Sequence, residues 1–115
     1  MDIRQSNLFA AVDRSATDEQ VQALLTAPGL RVERIVSTGQ ASPPGFWFDQ
    51  AWDEFVLLVS GSAGLQIEGE AAVRSLQAGD HLSIPARVRH RVEWTSATPP
   101  TIWLAVHFCP SSAAD

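Results

Sequence analysis

The sequence has little cysteine and no long apolar run. Cys109 is the only cysteine among 115 residues, which excludes an internal disulfide framework and a zinc cage built from several thiolates. No apolar run approaches the ~18–20 residues that span a bilayer. Residues 1–10, MDIRQSNLFA, lack the basic start and the long apolar stretch of a signal peptide. We therefore expect a cytoplasmic protein with no membrane partner.

Basic residues are also scarce. Eight Lys and Arg residues stand against thirteen Asp and Glu residues, which gives a net charge of −5 and a pI near 5.0. Such a chain has little attraction for a phosphate backbone, so we expect no nucleic-acid partner. Arg87, Arg89 and Arg91 form a short basic stripe that we assign to a solvated outer face. The sequence also lacks a glycine-rich phosphate loop, a Gly-x-Ser-x-Gly turn and a His-Glu-x-x-His helix.

The length and composition fit one domain that spans residues 1–115. Hydrophobic residues make up 45% of the chain and charged residues 18%, which allows one ordinary core. In residues 1–29 the pattern predicts a short helix, with Thr17 as its N-cap and Val21, Leu24 and Leu25 at helical spacing. The pair Pro28-Gly29 is predicted to end that helix.

Residues 30–109 read as short β-strands separated by Gly and Pro. The absence of crossover helices favours an antiparallel sandwich or small barrel over a parallel sheet. The fold is therefore predicted to be all-β apart from the N-terminal helix. The candidate strands are 31–37, 46–48, 55–59, 64–68, 72–76, 81–84, 89–94 and 102–108.

Two segments carry a more specific pattern. In the first, Glu54 begins an apolar strand that ends at Gly61; in the second, Gly79 is followed by Pro85 and then by His90. These spacings resemble the two signature motifs of the cupin superfamily. The second motif usually has a glycine where this chain has Arg87, and an asparagine where it has Trp94. The stretch PPGFWFDQ, residues 43–50, further resembles a subgroup of small bacterial cupins without an assigned activity.

The resemblance implies a double-stranded antiparallel β-helix, the cupin jelly-roll barrel, and a divalent metal ion inside it. In metal-binding cupins the first motif supplies two histidines and a glutamate, and the second supplies a third histidine. Glu54 and His90 match two of these ligands. The two missing histidines correspond to Phe48 and Gln50 or, with a shift of one residue, to Trp47 and Asp49.

The candidate site therefore has alternative ligands. Gln50 offers an amide oxygen and Asp49 a carboxylate, and either could join Glu54 and His90 in an oxygen-rich site. Such a donor set leaves zinc, nickel, iron and manganese all open as the metal. Alternatively, Glu54 and His90 form a buried structural pair that binds no metal.

Strand alternation adds candidate pocket residues. If His90 points into the barrel, Trp94 shares its face, and the aromatic residues Trp47 and Phe48 are further candidates for the pocket wall. His107 could enter the pocket or lie in an interface. His81 follows Gly79-Asp80 and is expected to be an exposed turn residue.

Two functions remain open at this point. The first is a small cupin that binds a divalent metal and acts on or binds a small organic molecule; whether it is an enzyme is left open. The alternative is a metal-free module that binds or senses a small molecule. In either case we expect a homodimer, because Phe55, Leu57 and Val59 lie on the face opposite Glu54 and need to be covered.

Overall fold

The computed structural model describes residues 2–110, in which eight strands form two antiparallel sheets and no helix occurs. The larger sheet has the strand order β1-β2-β8-β3-β6, and the smaller has the order β5-β4-β7. The prediction of an all-β, antiparallel fold is confirmed. The strands are β1 Gln20–Ala27, β2 Leu30–Ser37, β3 Asp53–Ser60, β4 Ser62–Ile67, β5 Arg74–Gln77, β6 His81–Ile84, β7 His90–Thr95 and β8 Thr101–Phe108.

The predicted N-terminal helix is wrong. Most of the segment from Thr17 to Leu25 lies in β1, which pairs with β2 across the tight turn at Pro28-Gly29. Gly29 has a φ of 71°, so the pair that was expected to end a helix instead turns a hairpin. A bulge at Leu24 interrupts the alternation of β1, which explains why its apolar residues mimic a helical spacing.

The core lies between the two sheets. On β3, Glu54, Val56 and Leu58 point inward and are buried, whereas the residues between them are half-buried on the outer face. Leu58 is 1% exposed and packs with Trp103 and with residues of the smaller sheet. The buried apolar cluster consists of Val56, Leu58, Ala63, Leu65, Leu76, Ile84 and Trp103.

The turn between β3 and β4 requires glycine. Gly61 has a φ of 81°, and a Cβ built there would lie 2.8 Å from the carbonyl oxygen of Pro100. A residue with a side chain would be strained at this positive φ, and the turn brings β4 into the second sheet. Residues 2–110 contain no helix long and apolar enough to cross a membrane.

Candidate functional site

A cavity of about 240 Å³ opens between the two sheets at the end of the barrel that holds Glu54. Both sheets contribute to its wall, which combines apolar side chains with a few polar ones. The apolar residues that line it are Val21, Ile35, Phe48, Val56, Leu65, Ile84, Val92 and Trp103. The polar residues are Glu19, Arg31, Glu33, Gln50, Glu54, His90 and His107.

Strand register brings three of the polar residues together. Glu54 of β3 lies directly opposite His107 of β8, and directly opposed residues in neighbouring strands share a face of the sheet. His90, at the start of β7, approaches from the smaller sheet. Its Nε2 atom lies 3.5 Å from Oε1 of Glu54, while Nε2 of His107 lies 3.8 Å from Oε2 of the same carboxylate. Glu54 thus lies between two imidazoles.

His90 has a fixed tautomer. Its Nδ1 lies 2.9 Å from the carbonyl oxygen of Val88, which can only accept a hydrogen bond, so Nδ1 carries a proton. In the neutral ring Nε2 therefore carries a lone pair, and this lone pair faces the Glu54 carboxylate. Burial lowers the pKa of His90, but the bonds to Glu54 and to the Val88 carbonyl outweigh it, so the pKa is raised above its ordinary value. The geometry calls for a proton or a cation between the two side chains.

His107 continues the polar chain toward the mouth of the cavity. Its Nε2 atom lies 3.3 Å from Oε1 of Glu33, whose other oxygen is 2.9 Å from Nε of Arg31. His90 is 5% exposed, Glu54 7% and His107 4%. A buried charge is costly unless it is paired, so each of these side chains depends on its neighbours in the row for a partner.

Gln50 adds an acceptor without a donor. Its Oε1 atom is buried and has no hydrogen-bond partner among the described residues. The backbone oxygen of Gln50 accepts a bond of 2.7 Å from the Arg87 N–H, which fixes this part of the chain beside the cavity. Leaving a buried acceptor without a donor is unfavourable in free energy. A ligand that donates to Gln50 Oε1, or a cation that it coordinates, would remove this penalty.

Phe48 lies against His90 rather than providing a ligand. The two residues form an isolated bridge, with Phe48 N–H donating to the His90 carbonyl over 2.7 Å and His90 N–H donating back over 3.1 Å. Their rings stack with centroids 5.3 Å apart and planes 24° apart. The predicted short strand at 46–48 is reduced to this one bridge.

The other candidates lie outside the cavity wall. Asp49 is exposed, 3.4 Å from Nη1 of Arg87, and Trp47 lies beneath the guanidinium groups of Arg89 and Arg91. Phe48 and Gln50 are thus the pair that faces the cavity, and Trp47 and Asp49 face away from it.

Trp94 was expected on the same face as His90, and the structure corrects this. Gly64 pairs with Trp94 while Leu65 pairs with Val92, so Glu93 is an extra residue in β7. This bulge reverses the alternation. Trp94 is consequently 41% exposed and lies over Gly64, where a Cβ would clash with its indole ring.

Three charged lining residues, Glu19, Arg31 and Glu33, were missed by the sequence reasoning. Glu33 and Arg31 alternate with Val32 and Arg34 along β2, so each face of that strand carries both charged and apolar residues and neither is marked as inner. Glu19 was assigned to the helix that does not form. A hairpin interpretation of Pro28-Gly29 was the available signal for its true position.

The site has the donor types of a metal centre but not a preformed cluster of acids and histidines. Within residues 2–110, no three His, Cys, Asp or Glu side chains are grouped so that they could hold a metal ion. An amide oxygen is not part of that count, and Gln50 Oε1 lines the cavity with Glu54 and His90. Imidazole, carboxylate and amide oxygen are suitable donors for divalent metals, so the residues present fit such an ion in type.

Comparisons with known proteins agree with this architecture. The Cupin domain family matches residues 34–107. A protein of Ralstonia eutropha JMP134, provisionally named a mannose-6-phosphate isomerase, is 54% identical with a TM-score of 0.91, covering 93% of this chain and 99% of its own. No curated protein matches.

Two more distant solved structures share the fold. A cupin superfamily protein of Desulfitobacterium hafniense DCB-2 is 14% identical with a TM-score of 0.74, covering 95% of this chain and 94% of its own. An RmlC-like cupin of Shewanella frigidimarina NCIMB 400 is 17% identical with a TM-score of 0.67, covering 88% and 85%. Since the family match covers most of the chain, and the two sheets enclose the cavity that its motif residues line, this protein belongs to the cupin family.

Proposed function

We propose that this cupin binds a divalent metal ion in the barrel cavity, held by Gln50, Glu54 and His90, and uses the site on a small organic molecule. The observation that carries the proposal is the buried Oε1 of Gln50, which has no hydrogen-bond partner among the described residues and lines the same cavity as His90 and Glu54. A cation there would satisfy this oxygen and would also separate the lone pair of His90 Nε2 from the Glu54 carboxylate.

The chain's own residues would orient these donors. The Val88 carbonyl holds Nδ1 of His90, which is the outer contact that fixes the ring orientation of a ligating histidine. His107 lies against the second oxygen of Glu54 and limits its rotation. A bound divalent ion would supply Lewis acidity at this position. The apolar wall, with Trp103 and Val56, excludes water from one side of the cavity.

The size of the cavity sets the size of the molecule. At about 240 Å³ it lies below the roughly 300–1,000 Å³ that is usual for pockets that hold drug-sized ligands. The combination of an aromatic wall with a few polar groups suits a small organic molecule. We therefore propose a compact ligand that presents one polar end to Glu54 and His90 and an apolar part to Phe48 and Trp103.

We do not propose the activity in the provisional name of the Ralstonia protein. The cavity wall has one cation, Arg31, which is already 2.9 Å from Glu33, and three carboxylates. A phosphate ester needs several donors or cations, and even beside the proposed metal ion the carboxylates of Glu19 and Glu33 would oppose its binding. We expect no isomerisation of mannose 6-phosphate in a coupled assay; turnover that disappears in Glu54→Gln would contradict this expectation.

Metal uptake tests the main proposal. The untagged protein is loaded separately with Mn²⁺, Ni²⁺ and Zn²⁺, passed through a desalting column and examined by elemental analysis. We expect about one ion per chain for at least one metal, and a roughly tenfold or greater loss of affinity in Glu54→Gln and His90→Ala. Glu70→Gln and His81→Ala, which change residues of the same types outside the cavity wall, serve as controls and should bind like the unaltered protein.

An alternative is metal-free binding of a small molecule, and one observation favours it. The contacts of His90, Glu54, His107 and Glu33 form a continuous chain that protons alone could stabilise. In that case none of the three metals would bind to the unaltered protein, and Glu54→Gln would change ligand affinity equally with and without a chelator. Retention of any one metal at the site would contradict the alternative.

We also propose that two copies associate through the outer face of the five-stranded sheet. Phe55 and Leu57 lie there half-buried, and Leu25 of β1, in the same cross-strand row as Phe55, is 54% exposed. A second copy would cover these side chains. Light scattering should give the mass of a dimer, and Leu57→Glu should give a monomer. A monomeric unaltered protein would contradict this proposal.

A further inference from the structure

The segment from Ser42 to Phe48 leaves strand β7 and returns to it. At one end, Ser42 N–H donates to the Val92 carbonyl over 2.8 Å. At the other end, Phe48 and His90 exchange the two backbone bonds described above. Between these points residues 43–47 diverge from the strand. We call residues 42–48 the wall loop, because it leads directly to Phe48 and Gln50 in the cavity wall.

The wall loop has few backbone bonds of its own. Pro43 and Pro44 have no N–H, and Gly45 adopts a φ of 78°, so the chain makes one turn closed by a 3.0 Å bond from Phe46 N–H to the Pro43 carbonyl. Several of its carbonyl groups point toward β7 and need donors from elsewhere.

Arg91 provides these donors. Its Nη1 donates to the carbonyls of Pro43, over 3.2 Å, and Phe46, over 3.3 Å, and its Nη2 donates to the carbonyl of Ser42 over 3.2 Å. The Arg91 side chain is only 14% exposed, and Nε lies 2.8 Å from Oε1 of Glu93 without hydrogen-bond alignment. One planar guanidinium therefore holds three points of the wall loop.

We propose that Arg91 is a positioning residue for the cavity. It does not line the cavity, yet it lies in β7 between His90 and Val92, the two residues to which the ends of the wall loop are bonded. Without its guanidinium the carbonyls of Ser42 and Phe46 lose the donor from Arg91, and the Pro43 carbonyl keeps only the bond from Phe46 N–H. Phe48 and Gln50 then lose their fixed place beside His90. As a proposal about the metal site, this inference rests on the proposed function.

Arg89 provides a matched comparison. Its guanidinium carbon lies 5.6 Å from the centroid of the Trp47 ring, and that of Arg91 lies 6.0 Å from the same ring. Arg89 pairs with Glu68 over 2.8 Å, but it makes no hydrogen bond to the carbonyls of the wall loop. Replacing either arginine removes one positive charge beside Trp47, and only the replacement of Arg91 removes the donors to the loop.

The experiment compares Arg91→Ala, Arg91→Lys and Arg89→Ala with the unaltered protein by hydrogen exchange and by metal titration. The titration uses whichever of Mn²⁺, Ni²⁺ and Zn²⁺ the unaltered protein binds. For Arg91→Ala we expect roughly tenfold faster exchange at residues 45–50 with β3 and β8 unchanged, and roughly tenfold weaker metal binding. Arg89→Ala should remain within about twofold of the unaltered protein in both measurements.

Arg91→Lys retains a hydrogen-bond donor, and it keeps the comparison possible if Arg91→Ala does not fold. It should recover part of the protection and of the affinity, because a single ammonium group cannot span three carbonyls. Equal exchange at residues 45–50 in Arg91→Ala and Arg89→Ala would overturn the role of Arg91. If the unaltered protein binds none of the three metals, the proposed metal site fails, while hydrogen exchange still decides whether Arg91 holds the wall loop.

Discussion

The two ends of the inner face of β3 are both buried but differ in what surrounds them. Leu58, at one end, is 1% exposed and lies in a closed apolar cluster. Glu54, four residues earlier on the same face, is 7% exposed and lies beside a cavity, between two histidines. Burial alone therefore does not separate core from site; an open volume and an acceptor without a donor do.

The same comparison holds energetically. Burial of Leu58 stabilises the fold, since each fully buried side chain of this size contributes about 1.5–3 kcal/mol. A buried carboxylate between imidazoles is at best a small net gain, because the loss of hydration offsets the attraction between charges. One end of the barrel thus supports the fold, and the other is the end at which we propose binding.

The largest predicted effect comes from Leu58→Ala, which damages the closed end alone. Deleting this side chain should lower the free energy of unfolding by about 2–5 kcal/mol, since it leaves a cavity in a packed core. Urea denaturation measures the loss, and metal titration of the folded variant should show an unchanged affinity. A comparable loss of metal affinity would show that the two ends are not independent.

Phe48→His tests the end of the barrel that holds Glu54 and the cavity, which we call the open end. Position 48 faces the cavity beside His90, and a histidine there would restore one ligand of the cupin motif. We expect metal affinity to rise on the order of tenfold or more, because imidazole is a strong donor for divalent metals. Phe46→His is the control, since Phe46 packs edge-on against Phe48, 4.9 Å away, and does not line this cavity. Equal affinities in the two variants would contradict the assignment.

Arg87→Gly tests the backbone at the open end. Arg87 has a φ of 68°, a conformation that costs a non-glycine residue about 1–2 kcal/mol. Glycine removes that cost but loses more chain entropy on folding, so we expect a net gain of about 0.5 kcal/mol in the free energy of unfolding. Ala86→Gly, at a neighbour without a positive φ, should instead destabilise the protein. Thermal unfolding of both variants shows whether each substitution stabilises or destabilises the protein.

Glu19→Gln should give the smallest effect. Partial desolvation in the cavity wall raises the pKa of Glu19, and the bond from Ser37 only partly opposes this. A raised carboxyl pKa means that folding favours the protonated form, so the penalty is present at neutral pH and disappears as the pH falls below about 4.5.

The variant should therefore melt slightly higher than the unaltered protein at pH 7, with no difference near pH 4. Glu70→Gln is the opposite case, because the bond from Arg74 lowers the pKa of Glu70, and this variant should melt lower at pH 7. A Glu19 variant that melts lower at pH 7 would contradict the assigned direction.

Most of the barrel could be predicted from the sequence because alternation and turn residues are local signals. The predicted segment 81–84 coincides with β6, and six further predicted strands overlap observed ones. The helix prediction was wrong because Val21, Leu24 and Leu25 suit both periods once a bulge is allowed. Only pairing with β2, a contact with another part of the chain, decides between them.

Bulges and loops also limited the prediction of the site. Glu54 and His90 could be placed at the cavity from their motifs, whereas the sequence left His107 open between the pocket and an interface, and the structure places it in the cavity wall. Trp94 could not be placed, since the bulge at Glu93 leaves no mark in the sequence. The choice between Gln50 and Asp49 depended on the path of the wall loop, which a guanidinium from another strand fixes.

Anomalous diffraction from crystals loaded with Mn²⁺, Ni²⁺ or Zn²⁺ tests the central claim most directly, because it locates the ion and its ligands together. The account predicts one peak per chain among Gln50 Oε1, the Glu54 carboxylate and His90 Nε2 for at least one of these metals. The absence of a peak with all three metals, or a peak held by His107 and Glu33 without Gln50, would contradict it.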